Sequence, residues 1–267
     1  MVLSYAILLI LSPKRLFADT LSDELRLMLL GVLCVPVYYG LENLALDATQ
    51  AGTVAALMAT APLLTALIVL IRWRSFQLHW MMKLGMAASA TGVFLVLFDS
   101  QVMLGLPSAG AWLSAGAACA WALYSALLKT FHAYDARFVA RKAFGWGLIA
   151  LLPFLAAEGL PDVSLLTDTE TLLLLLFLAA GPTTLCVVLW NAAAVKAGNV
   201  NTWLYWVPIV TVIAGMTCLD ESMSFVGWMG LVIILCGVWS AETGMKRVSA
   251  VLAGADPRKL SAKITFD

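Results

Sequence analysis

Long apolar stretches alternate with short polar connections along the whole chain. Each stretch is about twenty residues long, which is the length an α-helix needs to cross roughly 30 Å of hydrocarbon. The pattern predicts a partial span at 1–12, then spans near 25–46, 49–71, 82–99, 107–128, 138–157, 171–194, 199–219 and 224–243. We therefore expect an all-α integral membrane protein, a polytopic helix bundle of about nine spans.

Composition agrees with this pattern and excludes several classes of function. Hydrophobic residues make up 62% of the chain and charged residues only 12%, against about a quarter charged in soluble domains. The sequence has no basic stripe of the kind that binds nucleic acid, so nucleic acid is not an expected partner. The expected environment is the lipid bilayer. The five cysteines lie inside apolar stretches without metal-ligand spacing, and we predict neither a metal nor a cofactor.

The basic residues predict the orientation of the chain in the membrane. All 16 lysines and arginines lie in alternate connections or after the last span, and the intervening connections contain none. Basic loops face the cytoplasm, which places the C-terminus there and fits a bacterial inner (plasma) membrane. The lysines and arginines occupy the connections near 14–26, 72–83, 129–142 and 196, and the tail from 246 onward.

The beginning of the chain and the prolines are unusual for spans. The stretch 1–12 is too short to cross, and Lys14 and Arg15 follow it, the reverse of a signal peptide. We expect a lost or wrongly assigned start. Proline lies inside several spans, which neighbouring helices in a membrane tolerate, and we expect helix kinks at Pro62 and Pro208.

One sequence pattern occurs twice. "AGTVAALMATAP" (51–62) and "AGNVNTWLYWVP" (197–208) are 146 residues apart, and the following spans align Gly85 with Gly230 and Gly92 with Gly237. The charges flanking the two copies are exchanged, because the predicted orientation runs the copies in opposite directions. Two inverted repeats are typical of secondary transporters, whose substrate site lies near mid-membrane between the halves.

The stretches 38–67 and 188–221 resemble the EamA-type permeases of the drug/metabolite transporter superfamily. The resemblance implies two five-helix repeats, here 1–99 with its N-terminal part incomplete and 107–244, followed by a basic cytoplasmic tail at 245–267. It also implies transport of small metabolites or drugs. The second repeat keeps an acidic pair, Asp220-Glu221, where the first has Arg74-Ser75.

Glu42 is the strongest candidate for a functional residue. It lies in "YYGLENLAL" beside Asn43 and Tyr39, toward the outer end of its span. An ionisable group inside a span is costly and marks function by default. It would suit a proton carrier or a counter-charge for a cation; the alternative is an interfacial glutamate that reaches headgroup water.

Aromatic and amide side chains give further cavity candidates. Apolar and aromatic walls with a few polar groups are what a small-molecule site needs, although the same residues would suit packing or a headgroup belt. Asn191 is a weaker candidate. The substrate or coupling candidates are Glu42, Asn43, Tyr39, Trp121, Tyr124, Asn201, Tyr205 and Trp206.

Three classes of function remain open at this point. A secondary exporter of small molecules by alternating access, with protons as the candidate coupling ion, explains the repeat. A non-transporting scaffold or receptor would not explain the repeat, and neither would a membrane-embedded enzyme. An enzyme would also need paired acid and base groups, and no pair of carboxylates shares one face of a span. We therefore expect a transporter and not an enzyme.

The charge distribution makes a direct prediction about topology. Single cysteines introduced within 246–267 should react with an impermeant thiol reagent only from the cytoplasm, and those within 160–168 only from outside. Labelling of both segments from one face would contradict the inverted repeat.

Overall fold

The computed structural model describes residues 1–12, 17–72, 80–102, 109–159, 168–196, 206–218 and 223–253. All regular elements within these residues are helical. The first half contains α1 (Val2–Leu11), α2 (Leu21–Val32), π1 (Leu33–Tyr39), α3 (Gly40–Ala48), α4 (Ala51–Met58), α5 (Ala61–Arg72) and α6 (Trp80–Val102). The second contains α7 (Ala109–Leu128), α8 (Ala136–Glu158), α9 (Thr169–Leu178), π2 (Ala179–Cys186), α10 (Val187–Lys196), α11 (Trp206–Cys218) and α12 (Phe225–Ala253). The predicted all-α bundle is confirmed.

Length and hydropathy mark several of these helices as membrane spans. Among the described residues, four helical stretches are long and apolar enough to cross a bilayer: Leu21–Ala48, Ala109–Phe131, Ala136–Ala157 and Thr169–Ala193. Five shorter apolar stretches are Val2–Leu11, Ala51–Thr65, Lys83–Val96, Ile209–Cys218 and Phe225–Ala241. The count of about nine spans stays a prediction.

The helices begin and end at recognisable capping residues. Thr20 and Asp168 accept hydrogen bonds from the backbone N–H groups of Asp23 (3.1 Å) and Thr171 (2.9 Å) at the starts of α2 and α9. Asp135 accepts one from Arg137 N–H (2.8 Å) at the start of α8. These side chains satisfy N–H groups that the first helical turn leaves free.

Proline shapes two of the spans by widening the helix. Pro36 lies in π1 and Pro182 in π2, each inside an otherwise α-helical stretch. A proline has no N–H to donate and its ring crowds the preceding turn, so the backbone widens locally into a π-helix. In π2 the Thr184 hydroxyl donates to the Ala179 carbonyl oxygen (2.6 Å), which gives that buried acceptor a partner.

The structure departs from the predicted spans at two places. The predicted span 49–71 is interrupted, since α4 ends at Met58 and α5 begins at Ala61. Thr60 lies in the break, and its hydroxyl donates to the Leu57 carbonyl oxygen at 2.7 Å. At the other end of the chain, α12 continues beyond the predicted boundary at 243 to Ala253, because no proline follows until Pro257.

The chain divides into two compact units, each made of two separate segments. The first unit comprises Met1–Asn43 and Leu123–Asn201, and the second comprises Leu44–Ala122 and Thr202–Asp267. In the first unit α2 and α8 pack so closely that a Cβ added at Gly31 would lie 2.4 Å from the Ala143 carbonyl oxygen. Lipid provides no hydrophobic drive between helices, so small residues that allow close backbone approach hold them together.

The second unit is built on a similar glycine contact between α6 and α12. A Cβ added at Gly85 would lie 2.4 Å from the Gly237 carbonyl oxygen, and one at Gly92 would lie 2.7 Å from that of Gly230. Ser89 lies between the two glycines of α6, and its hydroxyl donates to the Ile234 carbonyl oxygen at 3.4 Å. The adjoining core consists of Ala56, Leu57, Ala59, Val96, Ala111, Val212, Leu231, Ile234 and Val238.

This packing predicts that the α6–α12 contact will not accept a methyl group. Gly85→Ala or Gly92→Ala should each cost about 1–3 kcal/mol, because the atoms in the way belong to the facing backbone. Gly40→Ala is the control, since nothing lies within 4 Å of its added Cβ. The readout is the midpoint of thermal unfolding in detergent. Equal midpoints for all three variants would contradict the close contact.

Candidate functional site

Glu42 forms a hydrogen-bonded pair with a tyrosine one helical turn before it. It lies in the first turn of α3, directly after π1, and is half-buried. Its carboxylate accepts a hydrogen bond from the Tyr38 hydroxyl at 2.8 Å. Within the described part of the chain no lysine or arginine forms an ion pair with Glu42. Among the described residues, the hydrogen-bond partner of this carboxyl group is therefore the neutral Tyr38 hydroxyl.

The side chains around Glu42 come from π1. The rings of Tyr38 and Tyr39 lie 4.9 Å apart with an interplanar angle of 56°. Cys34 is completely buried and lies near Glu42 and Tyr39. The π-helix around Pro36 thus places one thiol and two phenols just before the Glu42 carboxyl of α3.

A second buried polar pair joins α7 to α10. The Tyr124 hydroxyl donates to Asn191 Oδ1 at 2.8 Å, and both residues are 0% exposed. Tyr124 also lies within electrostatic range of Cys34 and Tyr39, so the two pairs belong to one cluster within the first unit. We call the six residues Cys34, Tyr38, Tyr39, Glu42, Tyr124 and Asn191 the polar cluster.

The polar cluster leaves hydrogen-bonding capacity unused. Asn191 Nδ2 and the hydroxyl of Ser125, the residue after Tyr124, are buried and have no hydrogen-bond partner within the described residues. Buried polar groups in proteins are nearly always paired, so unpaired ones at a site call for an explanation such as a ligand or ordered water. To a bound molecule, Asn191 Nδ2 would offer a hydrogen-bond donor, and the Ser125 hydroxyl would offer a group that can donate or accept.

A cavity of about 310 Å³ reaches Asn191 from the end of the first unit where α7 ends and α8 begins. This volume is at the lower end of the range for small-molecule sites. Its wall is apolar near Asn191 and polar at its other side, where Asp135 and Arg137 form an ion pair (3.2 Å). Its lining is Leu128, Phe131, His132, Tyr134, Asp135, Ala136, Arg137, Val139, Val188, Asn191 and Ala192.

The predicted site residues divide into three groups. Glu42, Tyr39 and Tyr124 belong to the polar cluster. Asn43 is exposed on α3, and Trp121 is half-buried on α7, one turn before Tyr124.

The remaining candidates lie at or beyond the edge of the described residues. Asn201 and Tyr205 lie outside the described residues, and Trp206 is the first residue of α11. Pro62 is the second residue of α5 and is buried, and Pro208 is the third residue of α11.

Sequence reasoning overlooked Tyr38 and Cys34 and gave Asn191 little weight. Tyr38 could have been found, because it precedes Glu42 by four residues and such residues meet on one face of a helix. The role of Asn191 could not have been found from the sequence, since its partner Tyr124 is 67 residues away in the chain.

The comparisons with known proteins agree on a family. The family model described as the EamA-like transporter family matches residues 108–241, which is half of the chain. The chain belongs to the EamA-like transporter family. The resemblance expected from the sequence is thereby confirmed, and with it a membrane transporter.

Two relatives carry transporter names. An uncharacterised transporter of Archaeoglobus fulgidus is 28% identical over 231 residues, covering 82% of this chain and 76% of the relative. A probable amino-acid metabolite efflux pump of Escherichia coli K12 is 27% identical over 192 residues, covering 67% of this chain and 63% of the pump.

A protein of known crystal structure shares the fold of this EamA-like transporter. It superposes with a TM-score of 0.62 at 16% identity, covering 90% of this chain and 85% of the other. At that identity the likeness concerns the fold alone.

The Tyr124–Asn191 pair generates a prediction about stability. Tyr124→Phe should cost about 1–3 kcal/mol, because it leaves Asn191 buried without its donor. The double variant Tyr124→Phe/Asn191→Leu should recover part of that loss by removing both polar groups. Thermal unfolding in detergent measures both effects.

The matched control for this prediction is Tyr5→Phe, which removes a hydroxyl that makes no hydrogen bond within the described residues. If the double variant were less stable than Tyr124→Phe alone, the pair would not be the reason for the loss.

Proposed function

We propose that this EamA-like transporter exports small amphipathic metabolites by alternating access, with Glu42 exchanging the coupling proton. The observation that carries the proposal is the Glu42 carboxyl, which lies inside a membrane span, is half-buried and is bound to the Tyr38 hydroxyl at 2.8 Å. Ionisable residues inside membrane spans are rare and mark ion or substrate pathways.

The Tyr38 hydroxyl suits a carboxyl that changes its charge. A phenol can donate to a carboxylate, and it can accept from a protonated carboxylic acid. The Glu42–Tyr38 pair is therefore hydrogen-bonded in both protonation states. No basic residue of the described chain locks Glu42 in its charged form, so protonation can bias the inward and outward states.

The polar cluster and its cavity support a small substrate with a hydrogen-bond acceptor. Asn191 Nδ2 is a buried donor without a partner, and the cavity that reaches it measures about 310 Å³. Amino-acid-derived metabolites have this size and chemistry, and one relative is named as a probable amino-acid metabolite efflux pump. We therefore place the substrate in that class.

We also propose that the chain is built from the two inverted repeats expected from its sequence. The prolines of π1 and π2, Pro36 and Pro182, are 146 residues apart, the same offset as the repeated pattern ending at Pro62 and Pro208. The matched residues 108–241 fall within the second expected repeat, 107–244.

The α6–α12 contact gives further support to the repeats. Gly85 faces Gly237 and Gly92 faces Gly230, which is the pairing a two-fold axis between equivalent glycines requires. Ser89 and Ile234, the residues nearest that axis, are 145 positions apart and hydrogen-bonded. An inner-membrane location with a cytoplasmic C-terminus completes the proposal.

The proposal is tested by neutralising Glu42. Glu42→Gln keeps the shape of the side chain but removes its titration. In proteoliposomes with an imposed pH gradient and a panel of radiolabelled amino acids, we expect the wild type to accumulate substrate in a pH-dependent way. The variant should lose accumulation while it retains passive exchange and substrate binding.

Asp47→Asn is the matched control, because Asp47 is exposed on the same helix and should be dispensable. A Glu42→Gln protein that concentrates substrate with normal pH dependence would remove Glu42 from the mechanism. A wild type that moves no solute of the panel would contradict the proposed substrate class.

A further inference from the structure

Arg141 on α8 is a buried cation that the proposed transport mechanism does not use. Only 2% of the residue is exposed. Its Nη1 donates to the Ser12 carbonyl oxygen, which follows the last turn of α1. Its Nη2 is buried and has no hydrogen-bond partner, and no carboxylate of the described residues pairs with the guanidinium. The guanidinium carbon lies 5.4 Å from the centre of the Phe138 ring, a contact that offsets only part of the cost of a buried charge.

The neighbouring cation is already neutralised. Lys142 forms an ion pair with Glu24 of α2, and the same carboxylate accepts hydrogen bonds from Trp146 Nε1 (2.8 Å) and Ala18 N–H (3.0 Å). The ammonium of Lys142 also lies 5.4 Å from the centre of the Trp146 ring. The remaining positive charge at this place therefore belongs to Arg141.

Arg141 lines a groove between α1 and α8 with a volume of about 290 Å³. Gly145 lines the groove and lets α1 lie close to α8 there, since a Cβ at this position would approach the Tyr5 ring to 3.1 Å. The groove is basic beside Arg141 and Lys142 and aliphatic beside Leu9 and Ile149. Those two aliphatic side chains are 38% and 55% exposed at positions within apolar helices, so the groove opens toward hydrocarbon.

We propose that this groove binds an anionic phospholipid of the surrounding bilayer. The lipid phosphate accepts a hydrogen bond from Arg141 Nη2, and an acyl chain lies along Leu9 and Ile149. Arg141 is the sixth residue of α8, about 8 Å along the axis from its start, which is headgroup depth. A free phosphate ion would satisfy the guanidinium but would leave the aliphatic half of the groove unfilled.

The position of the groove fits a regulatory or stabilising lipid. Basic pockets between transmembrane helices on the cytoplasmic side bind anionic headgroups. The orientation proposed above puts the start of α8 on that side. The lipid would join α1 to α8 and give the Arg141 charge the counter-ion that the described protein residues do not supply.

Native mass spectrometry of the full-length protein in detergent tests the proposal. The probes are dioleoylphosphatidylglycerol and dioleoylphosphatidylcholine, which share acyl chains and differ in headgroup charge. We expect the wild type to retain the anionic lipid with a preference of about tenfold, the ratio that one charge-assisted hydrogen bond provides. Arg141→Gln should reduce that ratio to about one, and Arg141→Lys should keep most of it.

Two further variants make the result specific. Arg137→Gln, one turn earlier on α8 and exposed, should keep the full preference. Gly145→Leu should weaken retention of both lipids by filling the groove while it leaves every charge in place, so the proposal stays testable if Arg141→Gln does not fold.

Three outcomes would overturn the proposal. The first is a wild type that shows no preference between the two lipids, and the second is an Arg141→Gln protein that keeps the preference. The third is displacement of phosphatidylglycerol by millimolar inorganic phosphate. The last result would assign the site to a free anion.

Discussion

Hydrocarbon offers no hydrogen-bonding partners, and the structure depends on how the chain meets that constraint. Most backbone groups are satisfied inside helices. In π2, which contains Pro182, the Thr184 hydroxyl donates to the Ala179 carbonyl oxygen. Polar side chains obey the same rule, since Tyr38 bonds Glu42 and Tyr124 bonds Asn191.

The exceptions to this rule are informative. Within the described residues, Asn191 Nδ2, Ser125 Oγ and Arg141 Nη2 are buried without a partner. Asn191 belongs to the polar cluster, and Ser125 follows Tyr124 of that cluster in the chain. Arg141 lines the groove between α1 and α8. Unpaired buried polar groups are rare in proteins, and each calls for an explanation such as a ligand or ordered water.

Close packing supplies the remaining stability, and it uses glycine in both units. Gly31 lies against the backbone of α8, and Gly85 and Gly92 lie against that of α12. These contacts hold helices together where burial of apolar surface gives no advantage over contact with lipid. The exposed apolar side chains of α9, such as Phe177 at 66%, face the bilayer instead of a protein core.

Hydropathy predicted the helical bundle and the approximate helix ends, because lipid imposes a strong one-dimensional pattern on a sequence. The family was predicted by the resemblance of the stretches 38–67 and 188–221. The same pattern could not predict π1 and π2, since a π-helix and an α-helix of equal length have the same hydropathy. It identified Glu42 as a charge in an apolar stretch and Tyr124 by residue type. It could not give Asn191 its weight, because only the tertiary fold brings α10 to α7.

The central claim is that Glu42 exchanges a proton inside the membrane. Infrared difference spectroscopy of the reconstituted protein measures this directly, as the carboxyl C=O stretch that appears when the pH is lowered. We predict a titrating carboxyl band that is absent from Glu42→Gln, retained in Asp47→Asn and shifted in Tyr38→Phe, which loses the hydrogen bond. Identical titrating bands in the wild type and Glu42→Gln would contradict the account.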